Sequence, residues 1–209
     1  IQSVCKSLSS SKTIRNCNSF AVNKEISFWV DKDGGNCNST GLNSCRNQLY
    51  CPSCSYWMAM ERQKIVSAVE RHIMDAGGSG LFLTLTIPHH TRSDLRTLCK
   101  QLSKCWTTLM SRSKFSKKLI EFHGSKDLIW ARGLDYTCGI DGFTESKNSH
   151  HPHYHSLIYI KKKLSTQEFT ELKFLMLTTW RKAIKKIVGR DTFDGALDIQ
   201  QVKEVGKCA

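Results

Sequence analysis

"HHPHYHSLIYI" (150–160) puts four histidines within six positions and follows them with an apolar run. In a β-strand, residues two apart face the same side. His153 and His155 therefore project together, with Tyr154 opposed to them. Two imidazoles on a stiff backbone can hold one divalent ion. Leu157 and Tyr159 continue the histidine face, while Ile158 and Ile160 continue the Tyr154 face. With both faces apolar beyond Ser156, the spacing predicts a buried strand whose histidine end lies at the rim of a sheet. His151 has the same parity. Pro152, however, cannot donate to a ladder and should mark the strand entry, so His150 and His151 are expected in the loop or behind the ligands.

A third ligand should come from a neighbouring strand. "LIWARGLDYTC" (128–138) reads as that strand, and its one acid is Asp135, among Leu134, Tyr136 and Thr137. A carboxylate inside an apolar strand is costly unless paired or metal-bound. Asp135 is thus the expected third ligand, with pairing to Arg132 as the alternative. "LFLTLTIP" (81–88) alternates apolar and Thr residues up to Pro88 and reads as a strand, as does "ALDIQQVKEV" (196–205). Residues 139–149, with Gly, Asp, Ser and Asn, read as a loop.

Helices fill the intervals. From Tyr56 to Ala76 apolar residues recur at three- and four-residue steps, and Gly77-Gly78 ends the run. Leu95, Leu98, Leu102, Trp106 and Leu109 form one stripe over 93–110. Ser165 with Glu168 makes a capping box opening a helix to about Val188. The whole predicts an α+β fold: a mainly antiparallel central sheet with flanking helices.

The chain has 209 residues, enough for one domain or a domain with a small appendage. No segment approaches the roughly 20 apolar residues of a membrane span. No signal peptide is visible, and the start at Ile1 reads as an excised or processed segment. Lys and Arg number 31 against 18 Asp and Glu, a surplus of +13. Such a surplus favours a polyanionic partner, most often nucleic acid.

Ten cysteines fit either a disulfide framework or a metal site with scattered thiols. In "CRNQLYCPSC", Cys45, Cys51 and Cys54 have spacing suited to three thiolates on one zinc, and Cys17 and Cys37 are the candidates for a fourth. Without a secretory signal, zinc is the expected staple for a polar segment with little core. This divides the chain into a Cys-rich module, 1–55, and a second domain, 56–209. Cys99, Cys105 and Cys138 read as small core residues. Among basic stretches, "SRSKFSKK" (111–118) offers Arg112, Lys114, Lys117 and Lys118 around Phe115 as DNA contacts or as a solvated helix end. Lys161–Lys163 lie roughly 25 Å beyond His155 at strand rise and so outside its site.

The order of these pieces resembles the rolling-circle replication initiators of plasmids and phages, in the HUH endonuclease superfamily. "NCNSF" (16–20) resembles the family's Asn-Cys-Gly start, and "CRNQLYCPSC" its Cys-rich block. "FLTLT" (82–86) is similar to its first strand motif, and "RGLDYT" (132–137) to its Arg-Ala-Leu-Glu-Val-Thr-like strand. "HPHYH" (151–155) resembles the His-hydrophobic-His signature, and "DIQQVK" (198–203) the strand before the last motif. The likeness runs from about Asn16 to Lys203.

The resemblance implies structural zinc on Cys17, Cys45, Cys51 and Cys54, favouring Cys17 over Cys37. It implies Mn²⁺ or Mg²⁺ on His153, His155 and Asp135, the last one methylene shorter than the usual Glu. It implies nicking of one strand of single-stranded or hairpin origin DNA by a tyrosine, leaving a 5′-phosphotyrosine and a 3′-OH primer. His89 and His90 would stand at the active-site rim, near DNA or metal-bound water. Host helicase and polymerase would be partners, in the cytoplasm. The family's tyrosine follows the "DIQQVK" strand, and no tyrosine follows Tyr159 here, so the nucleophile is expected after Ala209. Two other readings remain: a DNA-binding module without chemistry, and a transposase- or relaxase-like strand transferase.

Overall fold

The computed structural model describes residues 2–22, 24–30, 37–47, 51–89, 93–111, 113–137, 151–192 and 194–202. These fall into two compact units, Ile1–Ile65 and Val66–Ala209, with the divide inside one long helix. The loop expected at 139–149, His90, Arg112, Cys138 and His150 lie outside the described residues. No helix among the described residues is long and apolar enough to cross a membrane.

The first unit holds α1 (Gln2–Leu8), α2 (Lys12–Arg15), β1 (Ser27–Val30), β2 (Cys37–Thr40) and the start of α3 (Pro52–Asp75). β1 and β2 pair antiparallel, Ser27 opposite Thr40. This is regular structure within the polar segment with little core that the sequence predicts. The elements are short and polar, so hydrophobic periodicity does not reveal them. The unit's buried cluster is small: Ile14, Cys17, Cys51 and Cys54, with Cys45 packed against it.

The second unit is the expected sandwich. Four strands, β3 (Ser79–Thr86), β4 (Ile129–Thr137), β5 (His151–Ile160) and β6 (Leu197–Val202), form one sheet in the order β4-β5-β3-β6. Every neighbouring pair is antiparallel. The helices are α4 (Leu95–Met110), α5 (Lys114–His123) and α6 (Thr166–Val188), and a single 3₁₀ turn (Asp194–Ala196) leads into β6. The fold class read from the sequence is borne out.

Period-two alternation decides which face is core. Leu81, Leu83 and Leu85 of β3, Tyr154 and Ile158 of β5, and Leu197 and Ile199 of β6 turn to one side. They pack with Leu102 and Trp106 of α4, Phe115 and Leu119 of α5, and Met176 and Trp180 of α6. Each such side chain, fully buried, contributes about 1.5–3 kcal/mol. Trp180 also donates Nε1–H to the Thr86 carbonyl at 3.1 Å, satisfying its polar edge inside the core.

Local signals end the helices where they should. Gly77 closes α3 in the left-handed region at φ +78, and Gly78 N–H reaches the Ile73 carbonyl while Gly77 N–H reaches that of Met74. A Cβ on Gly78 would lie 2.5 Å from the Ile160 carbonyl oxygen, so only glycine lets the chain enter β3 there. Asp94 caps α4 and Ser113 caps α5 by accepting backbone N–H groups. The Ser165–Glu168 capping box forms as expected.

One expectation needs correcting. Phe115, read as part of a DNA-facing stretch, is fully buried in the core. Its neighbours Lys114 and Lys117 are exposed, but α5 lies on the helix-covered side of the sheet.

Candidate metal centres

The opposite face of the sheet carries the histidines. Register places Asp135 opposite His153, and His153 opposite Thr86. One step along, Gly133, His155, Thr84 and Asp198 form a row across all four strands. Cross-strand partners share a face, so Asp135, His153 and His155 converge. One ligand atom from each lies within 4.8 Å of the others. His153 Nε2 and Asp135 Oδ2 are 3.6 Å apart.

The donors are oriented from behind. His153 Nδ1 is 3.2 Å from the His151 carbonyl oxygen. That oxygen can only accept, so Nδ1 donates to it and Nε2, which faces Asp135, is the nitrogen placed to ligate. His155 Nδ1 lies 3.2 Å from Thr84 Oγ1, and its ring stacks on Phe82 with centroids 5.6 Å apart. Asp135 Oδ1 accepts the Tyr136 N–H at 2.8 Å. Burial holds the His155 pKa below its ordinary value, with His153 adding to the effect and Asp135 opposing it. Neutral imidazole is the form that ligates. Two imidazoles and a carboxylate gathered on one side leave open coordination positions, which fits a divalent cation.

Two premises of the sequence reading change. Asp135 is not a buried carboxylate, since its side chain is 64% exposed. β4 is an edge strand and Asp135 faces the open side, so desolvation does not force it to find a partner. The alternative Arg132 pairing does not form either, because Arg132 lies on the other face. The second change concerns His151, expected in the loop or behind the ligands, and the latter is where its carbonyl stands. It is the first residue of β5, and Pro152 fits inside the strand because β3 pairing stops at His153. His151 Nδ1 sits 2.7 Å from His89 Nε2, which extends a file of rings running Phe82–His155–His153–His151–His89. Burial, then the neighbouring His89 and His153, holds the His151 pKa down. Thr84 and this His89–His151 contact are what sequence reasoning missed. The alternation of "LFLTLT" was the available signal, since it puts Thr84 and Thr86 on the polar face.

In the first unit, Cys17, Cys45, Cys51 and Cys54 bring four sulfurs within 4.8 Å of one another. Cys54 Sγ is 3.5 Å from both Cys17 Sγ and Cys45 Sγ, far beyond a bond of ~2.05 Å. These thiols are free, which excludes a disulfide among them. The separation matches sulfurs arranged around a common centre with bonds of ~2.3 Å. Backbone N–H groups of Cys45 and Asn47 point at Cys17 Sγ and Cys45 Sγ, at 3.5 and 3.4 Å. Asn18 and Arg46, each directly after a cluster cysteine, adopt left-handed φ values of 56 and 51. A non-glycine residue pays strain there, and the turn exposes amides to the sulfurs. Burial pushes Cys17 up to about 12. Against the same burial, hydrogen bonds from Ser44 and the neighbouring thiols bring Cys54 down to about 7. Four clustered thiolates need a cation, and a tetrahedral Cys₄ set fits zinc. The side chain of Cys37 lies outside the described ones.

The remaining expected DNA contacts are dispersed. His89 belongs to the ring file. Lys114, Lys117 and Lys118 sit on α5 with the sheet between them and the histidines, and Lys118 pairs with Glu121 and Glu171.

Comparison with known proteins adds two findings. The family described as "Replication protein" matches residues 38–209. "Protein rep" of Streptococcus pneumoniae serotype 2 (strain D39 / NCTC 7466) is 25% identical over 174 residues, which cover 78% of this chain. The matched region spans 46% of that relative, so this chain corresponds to about half its length. No solved structure matches.

Proposed function

Because the chain belongs to the Replication protein family, as its resemblance to rolling-circle initiators implied, we propose that it is the ion-holding part of an initiator that nicks one strand of origin DNA. The observation carrying this reading is the convergence of Asp135, His153 and His155 on the open sheet face, their donor atoms within 4.8 Å. A Mn²⁺ or Mg²⁺ ion held there would polarise a non-bridging oxygen of the scissile phosphate. This chain's own residues do the positioning. β5 fixes His153 and His155 on one face, the His151 carbonyl and Thr84 set their ring orientations, and Asp135 adds negative charge from the sheet edge.

The nucleophile in this reading is a tyrosine, and the described tyrosines of the second unit do not face the ion site. Among the described tyrosines of the second unit, Tyr136 and Tyr154 have the opposite parity to the histidines, and Tyr159 is buried to 2% exposure. Tyrosine attack would give a 5′-phosphotyrosine and a free 3′-OH, keeping the bond energy for rejoining. Of the basic and histidine residues expected to meet DNA, His89 is the one that stands beside the ion site, and host helicase and polymerase would act on the product. The Cys-rich module, residues 1–55, is stapled by zinc on Cys17, Cys45, Cys51 and Cys54, and residues 56–209 form the nuclease-like domain.

The test uses the full-length protein. His153→Ala combined with His155→Ala should abolish metal-dependent nicking of a supercoiled origin plasmid and remove Mn²⁺ binding in calorimetry, with an unchanged circular dichroism spectrum. Nicking at the wild-type rate would sink the reading. Metal-dependent DNA binding with no covalent adduct in the wild-type protein would instead make it a binding module.

A further inference from the structure

On the face away from the histidines, the edge strand β4 carries a stripe of different chemistry. Trp130, Arg132, Leu134 and Tyr136 alternate with the set that includes Asp135. Trp130, Leu134 and Tyr136 are 46, 51 and 55% exposed, and Arg132 is exposed as well. They sit where the helix layer no longer covers the sheet. The Trp130 ring stands against Trp106 with centroids 5.4 Å apart. The Arg132 guanidinium lies 4.2 Å from the Tyr154 ring centroid, 5.2 Å from Trp106 and 6.0 Å from Trp130. Among the described residues, no carboxylate pairs with Arg132.

A preset cation flanked by exposed aromatic rings, in a chain of charge +13, is the chemistry that takes single-stranded nucleic acid. Ring faces stack bases of any sequence, and a guanidinium answers phosphate. A second copy of this chain is the competing occupant, since β4 is an edge strand among the described residues. Two-fold pairing along that edge would bring two Arg132 side chains into one interface with no acid to answer them. Asp135 lies between Leu134 and Tyr136 in the chain, so DNA leaving the ion has one strand edge to round before it meets the stripe.

We propose that the β4 stripe is a track for single-stranded DNA flanking the nick site. The proposal rests on the nicking reading and locates part of its substrate.

The experiment is fluorescence anisotropy of a labelled oligothymidylate with this chain, without added divalent ion, and with a duplex as control. Trp130→Ala and Tyr136→Ala should each weaken single-strand binding about tenfold, and Trp130→Phe should recover most of the loss. Arg132→Gln should lower the slope of log affinity against log salt by about one. Duplex affinity should not change. Tyr136 is exposed, so its variant tests the track even if Trp130→Ala does not fold. The track is overturned if Tyr136→Ala and Arg132→Gln bind as wild type does, or if the wild-type chain does not bind the single strand. Loss of self-association in sedimentation, with DNA affinity intact, would assign the stripe to a second copy and also overturn it. Intact nicking by stripe variants of the full-length protein with unchanged affinity refutes the track alone, whereas failure of the full-length wild type to nick refutes the broader reading.

Discussion

Thr84 shows how much one side chain on the sheet can decide. Its hydroxyl lies 3.2 Å from His155 Nδ1, and no sequence motif singles it out from Thr86, the other threonine of "LFLTLT". Valine has nearly the same shape and cannot make that contact. Thr84→Val should therefore keep the fold while freeing the His155 ring to turn. Losses at such supporting positions run to about 10–100-fold in metal affinity. Calorimetric titration with Mn²⁺ reads this directly, and an unchanged affinity would show that Phe82 stacking alone orients the ring. At the same scale the sequence was legible for ligand types and blind to their surroundings. His153 and His155 follow from parity. Asp135 was found by a burial argument that its 64% exposure removes, and the geometry that brings it to His153 comes from cross-strand register, which a single sequence does not display.

Among the elements, the start of α6 carries a charge-dependent lock. Glu168 accepts from Ser165 N–H and Oγ–H at 2.9 Å and pairs with Lys162. The Lys162 hydrogen bond, then those from Ser165, hold its pKa at about 2, below the usual 4.5. A depressed carboxylate pKa stabilises the fold above the unfolded value, and that contribution disappears as pH falls through the folded one. Glu168→Gln should thus melt below wild type at neutral pH, with the gap closing as pH drops from 4.5 toward 2. A gap that persists at the acid end would mean that packing, not charge, is what Gln disturbs. This helix was readable because Ser-x-x-Glu is a local chemical signal. The β1–β2 hairpin and α5 were not. "CNST" carries no apolar alternation, and the charges of "SRSKFSKK" hide Phe115, which with Leu119 and Phe122 commits α5 to the core.

Taken as a whole, the chain stabilises its two units by different means. The Val66–Ala209 unit has a conventional apolar core. The Ile1–Ile65 unit has a cluster of Ile14 and cysteines, too little apolar area to offset the entropy of ordering its loops. In the proposed zinc-stapled form, a large share of its folding free energy would come from the ion that its four sulfurs could hold. Elemental analysis should find about one zinc per chain. Release of that zinc by a thiol reagent and chelator should abolish protease resistance in the first unit while the sheet of the second keeps its far-ultraviolet signature. A zinc-free preparation with both units resistant to protease would refute the staple.

The sheet order has one more consequence. His153 and His155 ride on β5, hydrogen-bonded to a neighbour on each side, whereas Asp135 rides on β4, bonded on one side only. The ligand set is therefore lopsided: two jaws are fixed and the third is mounted on the more compliant border of the sheet. Ions of different radius can be accommodated by small excursions of β4 without disturbing the imidazoles. Preference among metals, and the ease with which one replaces another, would then be written in the residues that stiffen or loosen β4 rather than in the histidines.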